Sequence, residues 1–327
     1  IESQLAVGDY FLCASERQRH FYLGQLTTLG RVGPAGYADD PHLEKLIGVV
    51  PFGLPGKDPA HTGRVLKGAL PGIGTDDHVI IWSGGVYDWF DPLTLIRAVA
   101  QLSSTKPSVK LFFMGTAHPH PGVPEMPIIK ASRDLAEELG VAGKHVFFND
   151  SWVDYDDRQN YLLEADLGVS THRSHIETTF SFRTRILDYL WASLPMVVTD
   201  GDHFADEVNR HGLGKTVPAG DVEALVAALE TALFDDKFRA RATKALRVVR
   251  ENYRWDTVLE PLVKHVAGIA EGSITKSTSK PVRYSPARPR PPRFSIHDIG
   301  RGFQRLARGE FKSLLRAVSR KLRPRRS

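Results

Sequence analysis

The chain has 327 residues, of which 42% are apolar and 25% charged, with a single cysteine. That balance excludes a low-complexity chain, and one cysteine closes no internal disulfide and leaves no Cys-x-x-Cys pair for a zinc or redox centre. The net charge of +5 hides an asymmetry, because residues 281–327 hold 14 Lys/Arg against 2 Asp/Glu while the remainder is acidic, so any attraction to polyanions belongs to the tail.

No apolar run approaches the roughly 20 residues that cross a bilayer, and Ile1-Glu2-Ser3-Gln4-Leu5 has neither the basic nor the apolar part of a signal peptide. A reducing, cytoplasmic setting is the expectation. The chain opens without Met and close to a strand-like stretch at 10–14, so a fragment of a longer protein is expected.

In chain order, residues 9–23 read as strand then helix. Residues 46–50 read as a further strand, ending in the hinge-like Pro51-Phe52-Gly53-Leu54-Pro55. Apolar runs at 79–82, 109–114, 145–148, 167–170 and 196–199 read as buried parallel strands. Between them, residues 92–102, 132–139, 157–164 and 184–193 carry apolar positions three or four apart and read as helices. Parallel strands need crossover helices, so this alternation predicts a doubly wound, Rossmann-like α/β domain. Three amphipathic helices follow at 221–234, 238–253 and 255–269. The Ser/Thr/Pro/Lys-rich stretch 272–292 then reads as a linker.

Open α/β sheets bind ligands at the carboxyl ends of their strands, so chemistry is sought in the loops just after each apolar run. Gly84 and Gly85 follow the first run, where two glycines either admit a phosphate to backbone N–H groups or simply make a tight turn. His118 and His120 form an H-x-H pair after the second, and His172 and His175 follow a later one. No Asp, Glu or Cys accompanies either pair at a typical spacing, so single contacts of His118 and His172 with a sugar are favoured over a metal. Trp152 and Val153, after the third run, either frame a planar base or fill the core.

The stretch 177–198 carries most. A helix starting near 182–184 would present free N–H donors and partial positive charge, with Thr184 at its start and Arg183 and Arg185 beside it, which suits a diphosphate. Asp188 lies one turn after Thr184, placed to accept hydrogen bonds from ribose hydroxyls. Glu177 sits in the preceding loop, within reach of a sugar hydroxyl. The alternative is ordinary capping and an Arg–Asp helix pair.

In this order the residues resemble glycosyltransferase family 4, the glycosyl transferases group 1 of the GT-B retaining enzymes, over residues 9 to 270. Asp9-Tyr10-Phe11-Leu12-Cys13-Ala14-Ser15 is similar to the last strand of that family's N-terminal domain and Val49-Val50-Pro51-Phe52-Gly53 to its interdomain hinge. Residues 80–100 are similar to the opening of its donor domain, and 144–170 to the pattern that precedes its donor loop. The resemblance implies that residues 1–54 end an acceptor domain and 55–270 form the nucleotide-sugar domain, with a linker at 271–298 and a basic tail at 299–327.

By position, Glu177 resembles the first acid of the family's E-x7-E motif, on the donor sugar, and Asp188 the second, on the ribose, with Val153 beside the base. The two acids stand 11 positions apart, farther than in that motif, and the second is Asp. The family's Arg and Lys near the first donor loop align with Gly85 and Phe90, so Arg183 and above all Arg185 are read as replacements. The resemblance implies transfer of a sugar from a UDP- or GDP-sugar to a glycan or lipid-linked acceptor hydroxyl with retention, and no metal or other cofactor. The competing readings are a catalytically silent nucleotide-sugar-binding module and a membrane or polyanion adaptor acting through the basic tail.

Residues 299–322 place Phe303, Leu306, Leu314, Leu315, Val318 and Leu322 at helical spacing among seven arginines and lysines. They read either as an amphipathic helix for an anionic lipid surface, the inner face of the plasma membrane serving envelope glycan synthesis, or as a solvated tail with no specific nucleic-acid partner.

Overall fold

The computed structural model describes residues 2–274, apart from 118, 119, 121, 123 and 124. The readings made for His118, for the tail and for all but the start of the linker lie outside the described residues. Helix α1 (Glu2–Val7) belongs to a separate unit, and the compact unit Gly8–Ser279 holds every strand among the described residues.

That unit opens with β1 (Phe11–Cys13), α2 (Glu16–Thr28), α3 (Pro34–Asp39) and β2 (Ile47–Val49). β1 and β2 pair in parallel as a sheet of their own. Ser15 caps α2 by accepting the Gln18 N–H at 3.3 Å, supplying a partner for one of the free donors of the first turn. α2 is fastened by Arg17, which donates to Asp206 at 2.6 Å and to the Gly201 carbonyl at 2.8 Å, and by Gln18, which donates to the Phe180 carbonyl at 2.9 Å.

The main sheet comprises β3 (His78–Gly85), β4 (Val109–Gly115), β5 (Val146–Phe148), β6 (Leu167–Ser170), β7 (Met196–Thr199) and β8 (Gly214–Val217), all parallel, in the order β5-β4-β3-β6-β7-β8. This is the doubly wound order whose direction reverses between β3 and β6. Ile80, Ile81 and Trp82 are fully buried because both faces are covered, as an all-parallel sheet requires. Each such side chain contributes about 1.5–3 kcal/mol.

The helices are α4 (Pro92–Ser103), α5 (Pro127–Glu138), α6 (Arg158–Glu164), α7 (Ile176–Phe180), α8 (Arg185–Trp191), α9 (His203–His211), α10 (Val222–Phe234), α11 (Asp236–Val249), α12 (Trp255–Val258) and α13 (Glu260–Ala270). Asp91, Asp202, Asp221 and Asp235 cap α4, α9, α10 and α11, each accepting a backbone N–H three residues on. Gly212 ends α9 with φ +66°, a conformation glycine adopts without strain.

Several expectations are corrected. The helix read over 238–253 ends at Val249 and tightens into a 3-10 turn at Arg250–Tyr253. The one read over 255–269 breaks at Leu259, because Pro261 has no N–H and fits only the first turn of α13. α5 starts five residues earlier than read, with Pro127 in its first turn. Strand β8 and helices α3, α7 and α9 escaped the sequence reading; β8 is a half-buried edge strand with little apolar signal.

The hinge closes on the end of the domain. Leu54 donates its N–H to the Tyr253 carbonyl at 2.6 Å and accepts from Trp255 N–H at 3.2 Å. A Cβ on Gly53 would lie 2.4 Å from the Trp255 ring, so only glycine lets the indole lie against the chain there. α13 returns to the small sheet, where His265 stacks on Tyr10 at 3.6 Å between centroids.

The switch between β3 and β6 is pinned by Tyr189 of α8. Its buried hydroxyl shares its proton between the carbonyls of Ile81 (3.0 Å) and Val169 (2.8 Å) and accepts the Ser83 N–H at 3.2 Å. Gly168 lets the ring come this near, since a Cβ there would meet it at 2.6 Å. Tyr189→Phe leaves a buried N–H without its acceptor and is expected to cost about 1–3 kcal/mol in urea unfolding; an unchanged midpoint would show that the hydroxyl ties nothing.

Candidate functional site

A cleft of about 710 Å³ opens at the carboxyl edge of the sheet, over the switch between β3 and β6. Gly84 and Gly85 line it at the end of β3, Met114 at the end of β4, Trp152 and Val153 after β5, and His172 after β6. Arg183, Thr184, Arg185 and Asp188 line it from the start of α8, and Phe52, Gly53 and Trp255 from the hinge. Gly84 takes φ +75°, which a side chain would strain, and a Cβ on Gly115 would lie 3.0 Å from the Gly84 carbonyl carbon and oxygen. The two glycine-bearing strand ends therefore approach as close backbones.

Arg185 lies beneath this loop. Its buried guanidinium donates to the carbonyls of Ser83 and Gly85 and, at 3.3 Å, to the Ser170 hydroxyl. Its charge lies over two aromatic faces, 4.3 Å from the Trp82 ring and 4.5 Å from that of Phe90. It forms no ion pair among the described residues. Burial brings its pKa down to about 10, so it stays protonated at neutral pH. Asp188 acts on it only at longer range, without an ion pair, so a buried cation under a glycine loop at a cleft wall keeps a positive field for an anion.

Arg183 corrects the sequence reading. It lines the same cleft, but its guanidinium forms an ion pair with the fully buried Asp202 and also donates to the Ser170 and Thr199 carbonyls. That charge is met inside the protein, so Arg183 braces β6, β7 and the start of α9 rather than standing free for a phosphate.

Asp188 is half-buried, and its Oδ1 accepts from Arg158 Nε at 3.1 Å. Arg158 in turn lies 3.4 Å over the Tyr155 ring and 4.6 Å from that of Trp191. Burial pushes the Asp188 carboxyl upward, and Arg158 and then Arg185 oppose the shift. Only one oxygen is taken, so Oδ2 remains to accept a hydroxyl from the cleft. Trp152 is 63% exposed, which removes the core-filling alternative. Thr184 stands at the N-cap of α8 without a side-chain cap bond, and α8 has only seven residues, so the long capped helix expected here is absent.

Glu177 corrects the reading differently. It lies within α7 rather than a loop, is exposed, and does not line the cleft. His172 is buried at the cleft wall, with Nδ1 3.0 Å from the Arg173 carbonyl and Nε2 without a partner. Among the described residues no group of three or more His, Cys, Asp or Glu could hold a metal, and no helix is long and apolar enough to cross a membrane. Sequence reasoning missed Tyr87, Trp89, Tyr155 and Arg158. The first two stand directly after Gly85, in a loop already singled out, and an aromatic pair there was the available signal.

Residues 77–235 match the family model described as glycosyl transferases group 1. The fold of the chain is similar to that of a glycosyltransferase from Rickettsia africae, with a TM-score of 0.61 and 14% identity over 81% of this chain and 64% of that one. It is similar also to Anabaena HepE in complex with UDP-glucose, with a TM-score of 0.60 and 15% identity over 81% and 65%. A third is the sucrose-phosphate synthase of Thermosynechococcus elongatus, with a TM-score of 0.58 and 14% identity over 83% and 61%. The chain thus spans less than two thirds of the length of each of these structures. No curated protein matches it in sequence. The likeness establishes the Rossmann-like GT-B fold.

Two histidines make the compact unit sensitive to mild acid. Burial lowers the pKa of His172, with Arg183 adding to the shift, and burial lowers that of His203, whose Nε2 lies 3.4 Å from the Tyr253 hydroxyl. Both bind protons more weakly folded than unfolded. Stability is therefore full above the ordinary value of 6.5 and declines as pH falls below it. Urea unfolding from pH 7.5 to 5 is expected to lose up to about 1.4 kcal/mol per pH unit for each histidine, and His203→Gln to remove one share. Stability that is level across this window would contradict it.

Proposed function

We propose that this chain is a retaining, family 4 glycosyltransferase that binds a nucleotide-diphosphate sugar in the cleft and passes the sugar to an acceptor hydroxyl. The observation that carries the reading is Arg185, a buried cation that makes no ion pair among the described residues, beneath the Gly84–Gly85 loop at the sheet switch. The diphosphate would lie on the loop N–H groups, with Arg185 supplying the positive field that stabilises the departing phosphate. Asp188 Oδ2 would accept from the ribose, and Trp152 and Val153 would face the base. HepE is seen with UDP-glucose, which favours uridine as the base.

The layout proposed with it has residues 1–54 ending the acceptor domain, 55–270 holding the donor, and residues 299–327 meeting an anionic membrane surface, with a lipid-linked or envelope glycan as acceptor. The chemistry needs no metal in this reading. A silent nucleotide-sugar-binding module is the second reading, favoured by Arg183 being committed to Asp202 and Glu177 standing outside the cleft. Release of free sugar or transfer to added glycan would overturn it.

Calorimetry with UDP, GDP and their hexose conjugates tests donor binding. Saturable binding by one base is expected, weakened about 10- to 100-fold in Arg185→Met, as loss of a charged hydrogen-bonding group implies, and about tenfold in Asp188→Ala. Thermal melts check that both variants fold. No binding by any of these nucleotides to the wild-type chain would overturn the proposal.

A further inference from the structure

Directly after Gly85 the chain puts two large aromatic side chains at the cleft instead of burying them. Tyr87 is 39% and Trp89 43% exposed, both line the cleft, and their rings stack 13° from parallel with centroids 4.8 Å apart. Exposed rings at a cleft forgo the burial that stabilises a core, so their being held in place needs a reason.

They are held firmly. Asp88, between them, accepts the Ile128 N–H at 3.1 Å at the start of α5, and Phe90 donates its N–H to the Tyr87 carbonyl at 2.9 Å. Tyr87 rests on Gly85, where a Cβ would meet its ring at 2.9 Å. Phe90 forms a β-bridge with His172, so the aromatic turn and the histidine are one backbone unit. In that unit Nε2 of His172 is a buried nitrogen with no partner, and with the ring neutral and Nδ1 donating to the Arg173 carbonyl it can only accept. A flat apolar face beside an unfilled acceptor matches a pyranose ring, which has an apolar C–H face and hydroxyl donors at its rim.

We infer that Tyr87, Trp89 and His172 form the subsite for the sugar ring of the donor: the ring lies on the aromatic pair and one hydroxyl donates to His172 Nε2. This rests on the nucleotide-sugar reading above. It predicts that the three residues act on the sugar and leave the nucleotide alone.

The test compares calorimetric affinities of UDP with UDP-hexoses, and of GDP with GDP-hexoses, in wild type, Trp89→Ala, His172→Phe and His172→Gln. The wild-type chain is expected to bind at least one nucleotide sugar more tightly than its nucleotide. Trp89→Ala is expected to lower that advantage about three- to tenfold, and His172→Phe by a similar factor of about three to ten, while affinity for the bare nucleotide holds within about twofold. His172→Gln keeps an acceptor and is expected to restore part of the advantage. An undiminished sugar advantage in Trp89→Ala, equal losses for nucleotide and nucleotide sugar, or no advantage in wild type would each overturn the subsite. Those results leave nucleotide binding in place, whereas absence of any nucleotide binding would overturn the parent reading as well.

Discussion

Arg185 carries a positive charge into the carboxyl edge of the sheet with no carboxylate paired to it among the described residues, and the cleft is arranged around that fact. Burying a charge costs several kcal/mol unless hydrogen bonds and polarisable neighbours offset it. Here the offset comes from the Ser83 and Gly85 carbonyls, the Ser170 hydroxyl and the faces of Trp82 and Phe90. The guanidinium therefore dictates where the β3 loop runs, and it couples β3 to β6 at the point where the sheet reverses. Arg183 is two residues away and has the opposite fate, because Asp202 meets its charge within the core. One arginine builds the frame and the other leaves a positive field at the cleft.

The frame extends to the hinge. Gly53 accepts the Trp255 ring against its backbone, Leu54 is bonded to both Tyr253 and Trp255, and α2 is bound through Arg17 to α9 and through Gln18 to α7. The cleft thus has one wall on the main sheet and another on the segment joining it to the small sheet.

Much of this was legible in the sequence, and the exceptions have physical reasons. The five apolar runs marked strands because a parallel sheet covered on both faces has no polar side, and β8 escaped because an edge strand such as Gly214–Val217 is only half-buried. Gly84, Gly85, Trp152, Val153, Arg185 and Asp188 were found because ligands gather at carboxyl strand ends, and the structure brings all of them to one cleft. Glu177 was taken for its place just before the helix, and place in the sequence carries no orientation; in α7 it is exposed and outside the cleft. Arg183 and Arg185 look equivalent in a sequence, since nothing local shows that Asp202 reaches one and not the other. Tyr87 and Trp89 were passed over because aromatic residues usually signal core, and only the structure shows them exposed.

The most direct test is a crystal structure of the chain with bound UDP. The diphosphate should lie on the Gly84–Gly85 backbone beside Arg185, with the ribose on Asp188 and the base against Trp152 and Val153. A diphosphate seated away from Arg185 would contradict the central role given to that buried charge.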